Sequence, residues 1–74
     1  MDNIHNFAIS ALGVNGSRLL QPQYTLELAK ELFDSYKRMQ DVQQVRILKG
    51  NFKLSEMCVE YSAVEVVKEY NRGA

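Results

Sequence analysis

One histidine, one cysteine and one glycine-rich loop are the features of this 74-residue chain whose chemistry would matter if the fold brought partners to them. His5 can act as a general base only with a nucleophile or carboxylate delivered to it. Asp2 precedes it by three residues, but reads as a helix cap rather than an orienter. Cys58 would be nucleophilic if a helix N-terminus stabilised its thiolate. Glu56 and Glu60 oppose that charge, so a structural cysteine is expected. One histidine, one cysteine and scattered acids lack the ligand spacing of a zinc site, so no metal, no cofactor and no catalytic residue are assigned. Gly13-Val14-Asn15-Gly16-Ser17-Arg18 has the look of an anion cradle. It lacks the preceding buried strand and the closing Lys-Ser/Thr pair of a nucleotide loop, and is expected to be a loop between helices.

Two charged features remain. Arg46, Lys49 and Lys53 lie in a segment, 42–53, that contains no acid. They are candidate contacts for an anion or a nucleic-acid backbone, with Phe52 available to stack on a base. Against this, the segment from Ser55 to Asn71 carries Glu56, Glu60, Glu65 and Glu69 with Lys68 as its one base. Such a segment would repel phosphates along its length. The simpler expectation is mutual attraction of the basic and acidic stretches, within one chain or between two. Glu56/Glu60 and Glu65/Glu69 are spaced as helical neighbours, but nothing supplies the cleft a carboxylate-pair hydrolase needs.

The elements that would position these residues read as helical. Ile4, Phe7, Ala8, Ala11 and Leu12 recur at helical spacing over residues 1–12, with Asp2 or Asn3 as cap and Gly13 as stop. Residues 23–43 give the clearest pattern: Leu26, Ala29, Leu32, Phe33, Tyr36 and Met39 share one side, and Pro22 or Thr25 opens the helix. Phe7, Leu12, Leu32, Phe33, Tyr36 and Met39 are the expected core. Residues 55–71 read as a third helix ending near Asn71 and Gly73, with Met57, Tyr61 and Val64 in one stripe and Val59, Ala63, Val66 and Tyr70 in another. A competing strand pattern alternates through Met57, Val59, Tyr61 and Ala63 and breaks at Val64. The expected fold is therefore mainly α, a small three-helix domain over residues 1–74. The alternative is α+β, with a C-terminal hairpin spanning about 44–63 that turns at Gly50-Asn51.

Composition narrows the function. Hydrophobic residues make up 46% and charged residues 24%, which suits a folded domain. Nine bases balance nine acids, so no global charge draws the chain to nucleic acid or anionic lipid. No apolar run is long enough for a membrane span or a secretory signal, and a cytoplasmic location is expected. A domain this small, with one cysteine and no tryptophan, gains from association. The expectation is a non-enzymatic interaction domain of the size of a bacterial or phage accessory protein. Its expected partner is itself, as a homodimer through Val59, Ala63, Val66 and Tyr70, or another protein, with no small-molecule substrate. The alternative is a small nucleic-acid-binding regulator using residues 46–53.

Overall fold

A computed structural model describes residues 4–56 and 58–72. The order of elements is β1 (Ile4–Gly13), β2 (Arg18–Gln23), α1 (Leu26–Lys37), β3 (Val42–Leu54) and β4 (Val59–Asn71). The four strands form one antiparallel sheet in the order β2-β1-β3-β4, with α1 packed on one face. The three-helix fold is thus overturned: residues 23–43 contain the one helix found among the described residues, and the expected helices at 1–12 and 55–71 are β1 and β4. The α+β alternative also fails. Its hairpin turn falls at Gly50-Asn51, whereas β3 runs straight through those residues and turns at Ser55–Cys58. It also lacks the N-terminal hairpin altogether. Asp2, Asn3, Met57 and Gly73, proposed as caps, stripe and stop, lie outside the described residues.

β1 misleads because it is central. Paired on both edges and covered on both faces, it buries Ala8 and Ile9 completely although they point to opposite sides. A strand buried on both faces reads as a continuous apolar run rather than an alternation. Such a run satisfies helical spacing equally well.

α1 begins where Thr25 caps it: the threonine hydroxyl accepts the Leu28 N–H at 3.2 Å. Its stripe sets Ala29 and Phe33 into the sheet, against Ile9, Val42, Val45 and Ile47. Leu26, Leu32, Tyr36, Phe7 and Tyr70 pack around this cluster. Burying Phe33 to 1% exposure contributes about 1.5–3 kcal/mol. Of the expected core, Phe33 is fully buried, while Phe7, Leu12, Leu32 and Tyr36 are half-buried. Met39 lies beyond the helix end and is exposed. No helix among the described residues is long and apolar enough to cross a membrane.

The β3–β4 hairpin is the least regular part. Val67 is an extra residue in β4, since Lys68 faces Ile47 and Val66 faces Leu48. A second irregularity sets Gly50 against Ser62–Val64, and Ala63 there adopts φ 54°. A Cβ on Gly50 would lie 2.9 Å from the Ser62 carbonyl oxygen and 3.0 Å from that of Ala63. Glycine is needed because another backbone passes this close.

Candidate functional site

The residues singled out for chemistry do not converge. His5 is buried on β1 and stacks on Tyr24, ring centres 3.9 Å apart. It is a packed strand residue, not one displayed on a terminal helix. Cys58 sits in the β3–β4 turn, exposed, and not at the first turn of a helix. Its backbone is occupied in closing that turn. Ser55 Oγ donates to the Cys58 carbonyl at 2.8 Å and accepts the Cys58 N–H at 3.3 Å. Among the described residues no group of three or more His, Cys, Asp or Glu side chains could hold a metal.

The glycine-rich loop is a β-hairpin turn, and its backbone donors are already committed. Gly13 N–H donates to Ser17 O, Val14 N–H to Asp41 O, and Gly16 N–H to Gly13 O. Ser17 N–H donates to Asn15 Oδ1 at 3.0 Å. Gly16 takes φ 91°, which the turn demands and glycine permits. An anion cradle needs such N–H groups aimed at a ligand; here they hold the turn.

Cross-strand register sets the basic segment beside the acidic one. Arg46 faces Glu69, Lys49 faces Glu65 and Lys53 faces Glu60. The Arg46 guanidinium donates from Nε to Glu69 Oε1. That hydrogen bond and the charge of Arg46, with a smaller contribution from Asn71, hold the Glu69 carboxyl below the usual carboxylate range. Each of the three bases that were to touch phosphate therefore has an acid as its neighbour on the next strand. The register also separates the helical carboxylate pair. Glu65 shares the helix side with Lys49, while Glu69 shares the opposite face with Arg46.

What remains is a surface: the edge made by β4. Both ends of the sheet are open, but they differ. β2 is six residues long and contains Pro22, which cannot donate to an added strand. β4 is thirteen residues long, has no proline, and exposes Tyr61, Val64, Val66 and Val67. Natural edge strands are usually short, or guarded by proline or a projecting lysine. The lysine of β4, Lys68, is instead laid over the Phe33 ring, 5.0 Å from its centre.

Beside this edge, on the face away from α1, lies a cleft of about 360 Å³. Ser10, Leu48 and Phe52 contribute from the central strands, Leu20 from β2, and Tyr61 and Val64 from β4. Strands at opposite ends of the sheet line one cleft, so the sheet is strongly coiled on this side.

The expected interface residues all fall on β4, but not on one face. Val66 sits opposite Leu48 on the open side, and Tyr70 sits opposite Val45 on the helix side, packed into the core. Val59 is half-buried near the turn, and Ala63 occupies the irregularity.

Sequence reasoning did not single out Arg72, which fastens the end of β4. Its N–H donates to Gln43 O at 2.8 Å. Its guanidinium reaches Val42 O at 3.0 Å from Nε, and Lys37 O and Met39 O at 3.0 and 2.6 Å from Nη2. A cation after a predicted strand carries no signal of this kind until the helix end is known to lie beside it.

No protein-family model matches the chain, and no curated protein or solved structure is significantly similar to it. The geometry offers an exposed strand edge with an adjoining apolar cleft, and no convergent catalytic groups among the described residues.

Proposed function

We propose that this chain is a non-enzymatic protein–protein interaction domain that binds its partner by strand addition along β4. The observation that carries this reading is the thirteen-residue, proline-free, valine-rich edge, set against a β2 edge shortened and guarded by Pro22. An added strand gains main-chain hydrogen bonds from the edge and specificity from alternate side chains. Here Tyr61 and Val64 stand at the rim of the cleft, placed to receive apolar side chains of the arriving segment. The Arg46–Glu69 ion pair, with Glu65 and Glu60 set opposite Lys49 and Lys53, favours this over a nucleic-acid regulator.

The test is site-specific photo-cross-linking in cells that produce the chain. A photoreactive residue at Val67, on the edge, is compared with one at Val14, which is more exposed but in the β1–β2 turn. Discrete adducts from position 67 and none from position 14 support strand addition. Equal adducts at both positions, or none at either, refute it.

A further inference from the structure

We propose that the partner is a second copy of this chain, with β4 pairing antiparallel to β4 about a two-fold axis between Val66 and Val67. This rests on the strand-addition reading and identifies its occupant. The argument comes from the extra residue in β4. Lys68 lies opposite Ile47 and Glu65 opposite Lys49. Ile47 and Lys49 are two apart on a regular stretch of β3, where they face Ile9 and Phe7 on the helix side. Glu65 and Lys68 therefore also share the helix side, although they are three apart in sequence. On an uninterrupted strand, residues three apart point to opposite faces. The bulge at Val67 moves them onto one.

That shift makes the edge complementary to itself. Antiparallel partners across a strand pair point to the same face, so a two-fold axis midway between Val66 and Val67 pairs Val66 with Val67 of the second copy. It sets Glu65 opposite Lys68 of the second copy, on the same face, where the Lys68 ammonium, laid over Phe33 in the single chain, swings out to meet it, and the symmetry repeats the pair. Moving the axis onto Val67 would oppose Glu65 to Glu69, and moving it onto Lys68 would oppose lysine to lysine. Like charges directly opposite destabilise a strand pair. The favoured register runs through Val64–Glu69 of each copy, clear of the irregularity at Ala63. It joins two four-stranded sheets into one sheet of eight, with both helices on the same side. Val64–Glu69 of the two β4 edges cover one another, while the ends of β4 and the short Pro22-guarded β2 edges remain open.

The experiment is sedimentation velocity of the full chain from low to high micromolar concentration, with charge-reversed variants. The wild type is expected to dimerise. Glu65→Lys or Lys68→Glu alone should weaken dimerisation at least about tenfold, because each creates two like-charge contacts across the axis. The double variant carrying both should restore it. Glu60→Lys provides the control: it loses a lysine neighbour on β3 just as Glu65→Lys does, but lies outside the overlap, and should leave the dimer unchanged. Far-ultraviolet circular dichroism confirms that each variant is folded. A wild type that stays monomeric at high micromolar concentration overturns the proposal. So does a dimer that the double variant fails to restore, or that Glu60→Lys weakens equally. A monomer that still gives an adduct with a different protein from position 67 refutes the second copy alone. A monomer with no adduct there refutes strand addition as well.

Discussion

Removing the Arg72 side chain tests how β4 is held to the rest of the molecule. The guanidinium joins three carbonyl oxygens at the junction of α1 and β3, those of Lys37, Met39 and Val42. Two of these belong to the end of the helix and the turn after it, where the helix leaves partial negative charge. A hydrogen bond to a charged group contributes about 1.5–3 kcal/mol where water is excluded. Only the bond to Val42 is partly buried; the other two are exposed, and water replaces much of their value. A net loss of about 2 kcal/mol for Arg72→Ala follows from one such bond at the lower end plus about 0.5 kcal/mol of helix-end electrostatics. For a domain of 60–100 residues each kcal/mol moves Tm by about 4–8 °C, so the variant should melt roughly 8–16 °C lower. Arg72→Lys keeps the charge but cannot fork to three oxygens, and should recover less than half of that loss. The assay is thermal unfolding followed by circular dichroism at one low concentration, since association would raise Tm by mass action. Hydrogen exchange should show faster opening at the C-terminal end of β4. An Arg72→Ala protein melting within about 2 °C of wild type would refute the assignment of Arg72 as the fastening of β4.

Two further outcomes are expected. Gly50→Ala should destabilise by about 1–3 kcal/mol, because the added methyl meets Ser62 and Ala63 backbone oxygens that cannot rotate away. A denaturation midpoint equal to or above wild type would contradict the close strand approach. Glu69, whose carboxyl is held low by Arg46, should titrate below the ordinary carboxylate range in an NMR pH series, and Arg46→Met should move it back up. Its folded pKa is depressed, so the linked stability is present above the ordinary carboxylate pKa and disappears as pH falls through the folded value. Arg46→Met should therefore flatten the acid limb of the stability curve and, between pH 6 and 8, lower stability by an amount that does not vary with pH.

The parts of the fold legible in the sequence were those decided by local chemistry. The Thr25 cap and the Leu26–Tyr36 stripe belong to a helix whose start is a side-chain hydrogen bond and whose face repeats every three or four residues. The Gly13–Ser17 loop was recognisable as a break because Gly16 needs a positive φ. What flanks that loop was not legible. Burial of β1 on both faces erased its alternation, and Ile4, Phe7, Ala8, Ala11 and Leu12 satisfied a helical spacing by accident of composition. The propensity signal pointed the other way in β4, where Val59, Tyr61, Val64, Val66, Val67 and Tyr70 are residues that favour strands. The period argument outweighed it, wrongly.

The same irregularities explain both that error and the surface it concealed. Strand alternation in β4 stops at Val64, directly after Ala63 turns to positive φ, and it shifts again at Val67. Two interruptions of a period of two leave Val59, Ala63, Val66 and Tyr70 spaced four, three and four apart, which imitates a helical stripe. On the actual strand those residues scatter, with Tyr70 turned into the core and Val66 turned away from it. The attraction between the basic segment and the acidic one was visible in composition, and within the chain it takes the form of one ion pair, Arg46–Glu69, with Lys49 and Lys53 facing Glu65 and Glu60 in register. Only their register shows that Glu65 and Lys68 lie on one face. The bulge that made the segment look helical is thus the feature that gives its open edge matching charges about a two-fold axis.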